Sequence, residues 1–378
     1  MHVGARHALP LQLRIMANIS LLKNRLKKEK LDGLLVSKPA NVSYLSGFSG
    51  DESYLLITEK KDFFITDFRY EQQAKKEAKG FEIEVVGAAP CGRPQQGRHR
   101  GLPLHNHFDL IVHLIKKNNL KRVGFEARHI TYAEVSKIRD NLTKQEFLPM
   151  HDLVESLRVV KTQEEIKNIK KATGICLSVF NDVAFKIKPG IREKELAGFV
   201  EYQMRIKGAE GASFDIIVLS GKNSTMPHGR PSDRKIGCNE AVLIDAGASF
   251  NGYKSDLTRM FFLGKIPDTV QKVYGIVKKA QEMALKAVRP GVSASVVDAI
   301  ARDYIKSNGY GDYFGHSLGH GVGREVHEAP SISSKSKDIL KPGMIFTVEP
   351  AIYLPNIGGI RIEDMVLVTQ KGSQVLSR

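Results

Sequence analysis

Four acids and one histidine in the C-terminal part of this 378-residue chain sit in surroundings that rarely hold them. Asp245 follows the apolar run Ala241-Val242-Leu243-Ile244, and Asp256 lies within Tyr253-Lys254-Ser255-Asp256-Leu257-Thr258-Arg259. Glu349 closes Ile345-Phe346-Thr347-Val348, and Glu363 alternates with apolar neighbours in Ile360-Arg361-Ile362-Glu363. His320 lies in the glycine-rich Gly319-His320-Gly321-Val322-Gly323. Any one of them alone reads as a surface acid or a hydrogen-bonded core histidine. Taken together they do not, because burying unpaired charge is costly and carboxylates are seldom set into apolar strands. A metal is the simplest compensation. Four carboxylates and one imidazole suit two divalent ions sharing bridging oxygens. Such a pair makes hydroxide at neutral pH and polarises a carbonyl, which is hydrolytic chemistry. Carboxylate-rich ligation favours Mn²⁺, with Co²⁺ or Zn²⁺ as alternatives.

The segments resemble those of the pita-bread metallopeptidases, a group that includes methionine aminopeptidase, aminopeptidase P and prolidase. They are most similar to the Xaa-Pro peptidases. The resemblance is carried by Leu243-Ile244-Asp245-Ala246-Gly247-Ala248, Ser255-Asp256-Leu257-Thr258-Arg259, Gly315 to Gly323, Val326-His327-Glu328, Thr347-Val348-Glu349-Pro350 and Gly359-Ile360-Arg361-Ile362-Glu363-Asp364. It is strong from about residue 160 to 375 and looser before that. It implies an α/β N-terminal creatinase-like domain over residues 1–155. It further implies an α+β pita-bread catalytic domain over 156–378, whose curved, mainly antiparallel sheet is backed by helices.

The resemblance also implies roles. Asp245 would chelate one ion, Asp256 and Glu363 would bridge both, and His320 and Glu349 would complete the ligands of the second ion. A metal-bridging hydroxide would then cleave the bond between an N-terminal residue and proline, with Glu349 handling its proton. His228, in Met226-Pro227-His228-Gly229, and His327 would line the site and hydrogen-bond the substrate or the tetrahedral intermediate, with His316 a weaker member of that set. Arg361 shares the strand face of Glu363 and reads as an ordering partner for the acids, a substrate-carboxylate ligand or an ordinary strand ion pair. The chain departs from the pattern at two places. Ser331 stands where many prolidases carry a carboxylate-binding arginine, and Arg324 stands where relatives carry an apolar residue, which makes Arg324 a candidate to compensate. Relatives are often dimers, so a homodimer is expected.

The elements that must position these residues are legible in outline. Asn251-Gly252 between Asp245 and Asp256 is a hairpin signal that would set the two acids on adjacent strands. Thr162 reads as a helix N-cap with Glu164 and Glu165 in the first turn, opening a helix that Pro189-Gly190 stops. Further helices are expected over Glu193–Lys207, Pro267–Val288 and Val296–Asn308, with a strand at Ile216–Leu219. Upstream, strands and helices alternate from residue 17 to 141, as in an α/β unit. Residues 1–15 and 90–107 read as irregular, the latter dense in Gly, Pro, Arg, Gln and His. Met16, just ahead of the regular pattern, reads as an alternative start.

Composition narrows the partners. Lys and Arg total 57 against 41 for Asp and Glu, a net charge of +16, but the lysines are spread over solvated helix faces and no nucleic-acid-binding signature occurs. No apolar run reaches membrane-spanning length and no apolar leader opens the chain. Cys91, Cys176 and Cys238 are far apart and form no paired motif, which suggests free thiols and a cytoplasmic setting. The expected partner is a small peptide with proline second, with neither nucleic acid nor membrane. Two other functions compete: a methionine aminopeptidase, which the large N-terminal unit disfavours, and a catalytically inactive binding or scaffold module, which the complete ligand set disfavours.

Overall fold

The computed structural model describes residues 11–87 and 106–378, and the chain divides between Leu157 and Arg158 into two compact units. Most of the two stretches expected to be irregular lies outside the described residues, but their edges are ordered. Helix α1 (Leu11–Lys28) starts earlier than expected and buries Ile15, Leu22 and Leu26. Asn106 caps helix α4 (His107–Lys117) by accepting from the backbone N–H groups of Phe108 and Asp109.

The first unit continues through β1 (Gly33–Val36), α2 (Pro39–Ser46), β2 (Tyr54–Thr58), β3 (Asp62–Asp67), α3 (Glu71–Glu77) and β4 (Glu82–Val86). After α4 come β5 (Arg122–Glu126), α5 (Tyr132–Arg139) and β6 (Glu146–Met150). The sheet order is β4-β3-β2-β1-β5-β6; β2 runs antiparallel to both its neighbours and the remaining pairs are parallel. Alternate residues feed two cores. Leu35, Leu56, Phe63 and Ile65 pack with α4 and α5, while Leu34, Val36, Leu55, Ile57 and Phe64 pack with α1, α2 and α3. A sheet covered on both faces needs apolar side chains at every position, and these strands read accordingly as continuous apolar runs.

The second unit opens with the end of a short helix, α6 (Glu155–Arg158), then α7 (Gln163–Lys186). Thr162 caps α7 as expected: its backbone N–H donates to Glu165 Oε2 at 2.8 Å and its hydroxyl accepts from the Glu165 N–H. Next come α8 (Glu193–Ile206), β7 (Gly211–Ala212), β8 (Ile217–Ser220), β9 (Glu240–Ala246), β10 (Ala248–Phe250), β11 (Tyr253–Lys254) and β12 (Leu257–Leu263). Helices α9 (Asp268–Ala287) and α10 (Ala294–Ser307) precede β13 (Gly319–Gly321), β14 (Glu328–Ile332), β15 (Ile345–Val348), β16 (Ala351–Leu354), β17 (Gly358–Arg361), β18 (Asp364–Val368) and β19 (Ser373–Val375).

Strand pairs among the described residues of this unit are antiparallel, in sheets ordered β11-β10-β7, β12-β9-β8, β14-β13-β15-β18-β19 and β16-β17. One apolar core joins α7 and α8 to β8, β9 and β12; another joins α9 and α10 to β15–β18. Asn251 (φ 49°) and Gly252 (φ 72°) both take left-handed conformations, the signature of the tight turn that suits a hairpin twist. The hairpin they close is β10–β11. Asp245 on β9 lies opposite Thr258 on β12, and Asp256 sits just ahead of β12. Among the described residues no helix is long and apolar enough to cross a membrane.

Candidate active site

The five expected ligands come from five places along the second unit. Asp245 is on β9, Asp256 precedes β12, His320 is on β13, Glu349 follows β15 and Glu363 lies between β17 and β18. All line a single cavity of about 540 Å³, within the usual size of a small-molecule pocket. Ligand atoms of Asp256, His320 and Glu363 lie within 4.8 Å of one another. His320 Nε2 is 3.5 Å from Asp256 Oδ2 and 3.2 Å from Glu349 Oε1.

Glycine makes this convergence feasible. A Cβ on Gly319 would stand 1.9 Å from the Thr347 carbonyl oxygen, and one on Gly321 would stand 2.2 Å from that of Ala329. Only bare backbone lets β13 approach its neighbours closely enough to bring His320 among the acids.

Two of the acids are held by one oxygen and offer the other. Arg361 Nη2 donates to Asp245 Oδ2 at 2.5 Å, whereas Asp245 Oδ1 is buried with no hydrogen-bond partner among the described residues. Thr258 Oγ1 donates to Glu363 Oε2 at 2.7 Å, whereas Glu363 Oε1 is buried and unpartnered in the same sense. Thr347 Oγ1 donates to Glu349 Oε1 at 2.9 Å. Buried polar atoms normally find partners, so two orphaned carboxylate oxygens facing one cluster are what a cation would satisfy. The residues present fit divalent ions.

The electrostatics agree. Burial, reinforced by neighbouring carboxylates, pushes Asp256 and Glu363 well above the ordinary carboxylate range. Burial also raises Asp245 against the pull of Arg361. Burial acts to raise Glu349 too, but the hydrogen bond and charge of His320, with His316 and Arg361, outweigh it and hold Glu349 low. His320 is raised because Glu349 overcomes the cost of burial. Clustered acids that resist ionisation in each other's company are a group awaiting positive charge.

The other expected residues divide. His228, His316 and His327 all line the cavity. The rings of His320 and His327 are 4.1 Å apart, and burial holds both His316 and His327 below the usual histidine value. His228 and His327 are exposed to the cavity opening, while His316 Nε2 is 3.2 Å from the Tyr353 hydroxyl. Arg361 also lines the cavity, but its donors are spent inside the protein: Nε on Thr258, Nη1 on the Pro227 carbonyl and Tyr353, and Nη2 on Asp245. Of the three readings left open for it, the geometry fits an ordering partner for the acids rather than a substrate ligand.

Arg324 is not brought to the cavity. Its guanidinium lies 4.7 Å from the centre of the Tyr253 ring, beside Gly252 of the Asn251-Gly252 turn. Arg324 lies in the bend between β13 and β14, outside any strand, so spacing from His320 along the chain does not reveal where its side chain goes.

Several residues of the site went unread in the sequence. Tyr353 stands on β16 with its hydroxyl 2.7 Å from Arg361, and burial pushes it up to about 12. Its place depends on β16 pairing with β17, where Ala351 lies opposite Arg361, and no local pattern in the sequence signals it. Thr258 and Thr347 anchor two acids from the same strands that carry the recognised motifs. Arg230 and Asp215 line the cavity, are exposed, and make no hydrogen bond or ion pair among the described residues.

Known proteins resemble this chain along most of its length. The model of metallopeptidase family M24 matches residues 167–370, and that of the creatinase/prolidase N-terminal domain matches residues 19–160. A Xaa-Pro dipeptidase of Pyrococcus furiosus is 38% identical over 366 residues, covering 94% of this chain and 98% of that protein. The structure of a Xaa-Pro dipeptidase from Bacillus anthracis superimposes with a TM-score of 0.88 at 39% identity, covering 96% of this chain and 98% of the other. An X-Pro aminopeptidase from Thermotoga maritima gives 0.82 at 36% identity, covering 94% and 97%.

Proposed function

The chain belongs to metallopeptidase family M24, and from that premise we propose that it hydrolyses the bond between an N-terminal residue and a following proline, with free dipeptides as preferred substrates. The observation that carries the reading is the convergence of Asp245, Asp256, His320, Glu349 and Glu363 in one cavity, with carboxylate oxygens of Asp245 and Glu363 left unpartnered among the described residues. These five residues would hold two divalent ions per chain, Mn²⁺ by the chemistry of the donors. Bound there, the ions would supply an activated water at neutral pH and an electrophile for the scissile carbonyl.

The chain's own groups do the rest. Glu349, oriented by Thr347, receives the proton of the attacking water. His228 and His327 donate to the substrate carbonyl oxygen as it gains charge. His316 is kept in place by Tyr353. Phe214, Ile216 and Val326 give the cavity apolar wall that suits a proline ring. A dedicated site has a purpose: proline's imide nitrogen carries no N–H and its ring fixes the chain, which defeats peptidases that recognise an ordinary amide.

The preference for dipeptides rests on Arg230. A free C-terminal carboxylate needs a cation, Arg361 is fully engaged and Arg324 lies off the wall, whereas Arg230 lines the cavity without an internal partner among the described residues. The reading also assigns catalysis to residues 156–378 and includes a homodimer and a cytoplasmic setting. The last is supported by Cys176 and Cys238, neither of which is in a disulfide among the described residues. The test compares kcat/KM for Xaa-Pro dipeptides and Xaa-Pro-Yaa tripeptides, with Mn²⁺ and after chelation. Metal-dependent cleavage that favours the dipeptide is expected. Turnover that persists in metal-free protein would sink the proposal.

A further inference from the structure

Glu193, the first residue of α8, lies outside the cavity and takes no part in the chemistry above, yet its side chain is fully buried at 0% exposure. A buried carboxylate needs a reason, because it is costly unless its oxygens are satisfied. Here they are satisfied by the two stems of one loop. From the incoming stem, Ser220 donates its N–H at 2.7 Å and its hydroxyl at 2.8 Å to Oε1, and Asn223 Nδ2 reaches Oε2 at 3.0 Å. From the outgoing stem, Ser232 donates its N–H at 3.1 Å and its hydroxyl at 2.6 Å to Oε2. The helix terminus repeats the grip through its backbone, since the N–H groups of Glu193 and Lys194 donate to the carbonyls of Arg234 and Ser232.

Between these stems lies His228. It is exposed and makes no hydrogen bond of its own among the described residues, so its place at the cavity is set by the loop that carries it. The middle of the loop is tethered from the other side: the Pro227 carbonyl accepts from Arg361, and Ser224 Oγ accepts from the Gly359 N–H at 2.7 Å. Without the carboxylate the stems keep the two backbone bonds to α8, the Asn223–Ser232 and Arg234–Ser220 side-chain bonds, and that tether.

We propose that Glu193 is a positioning residue for His228, closing both stems of its loop on one carboxylate. This rests on the reading of His228 as a donor to the substrate. An ionised carboxylate is acceptor-only, which matches five donors. Glutamine in its place turns an NH₂ toward those donors and leaves buried groups unpaired. A displacement of about 1 Å at a catalytic group can cost about a hundredfold.

The experiment is a double-mutant cycle on the metallated enzyme with a Xaa-Pro dipeptide, comparing wild type, Glu193→Gln, His228→Ala and the double variant. Glu193→Gln should lower kcat/KM about tenfold, mainly through kcat, at unchanged metal content. In the His228→Ala background the same change should cost less than about twofold, because the two act as one unit. Ser232→Ala removes one donor from the exit stem; its smaller loss should vanish in the same background, and it decides the matter if Glu193→Gln does not fold. A loss that multiplies in the His228→Ala background overturns the proposal alone. If His228→Ala itself leaves kcat/KM unchanged, the reading of His228 falls, and Glu193 with it.

Discussion

Arg361 holds one oxygen of Asp245 at 2.5 Å and leaves the other facing the acidic cluster without a partner among the described residues. The guanidinium is itself fixed by Thr258, Tyr353 and the Pro227 carbonyl, so the orientation of Asp245 is determined before any ligand arrives. Partners of this kind tune metal sites almost as strongly as the ligands do.

Replacing Arg361 with Met should therefore weaken Mn²⁺ binding by about 10- to 100-fold, read by metal titration of the purified protein. Unchanged affinity would show that Asp245 needs no external support.

The acids predict a pH signature for the metal-free protein. Burial and mutual proximity place Asp256 and Glu363 well above their ordinary values. A carboxyl raised by folding favours the native state below its unfolded value, and that contribution is lost as pH climbs through the folded value. Bound cations cancel the effect. The difference in Tm between metallated and metal-free protein should widen from acidic to neutral pH. A constant difference would mean the acids are not electrostatically linked.

Arg230 and Arg324 make opposite predictions. Loss of a charge-assisted hydrogen bond is worth about 1.5–3 kcal/mol, so Arg230→Ala should raise KM for Xaa-Pro dipeptides at least about tenfold and spare Xaa-Pro-Yaa tripeptides. Arg324→Leu should leave both KM values unchanged and cost roughly 0.5–1 kcal/mol of stability through the lost stacking on Tyr253. A dipeptide-specific effect of Arg324→Leu would restore the assignment drawn from sequence.

Glu328, next to His327, is clamped by Arg158 and by Lys161 at 2.9 Å, all three side chains buried. Burial alone would raise its carboxyl, but the two cations hold it below 4.5. The sign is that of a lowered acid: its stabilisation is present above 4.5 and is lost as pH falls through the folded value. Glu328→Gln should flatten the acid limb of the Tm profile. Lys161→Met, which strips one partner from a buried charge, should cost about 3–5 kcal/mol at neutral pH. A Lys161→Met variant with native Tm would show that Arg158 alone suffices.

Local chemistry made much of this readable in advance. The Thr162 cap, the Asn251-Gly252 turn and the acids embedded in apolar strands are each written within a few consecutive residues. What escaped depends on partners distant in sequence. Tyr353 matters because β16 pairs with β17, Arg324 misleads because a turn at Gly252 draws it to Tyr253, and Glu193 counts only once Ser220 and Ser232 meet over it. The short helix α2 also went unread. It carries Pro39 in its first turn and ends on Gly47, signals that mark its limits, but its apolar residues show little helical periodicity.

The bare backbone at Gly319 and Gly321 sets where this protein can be altered. With carbonyl oxygens nearer than any methyl group tolerates, a saturation library at these two positions should return almost nothing but the parent residue. The same library at Arg230 and Ser331, on the cavity wall, should yield folded proteins of shifted substrate range. Redesign of selectivity has room at the rim and none beneath the imidazole.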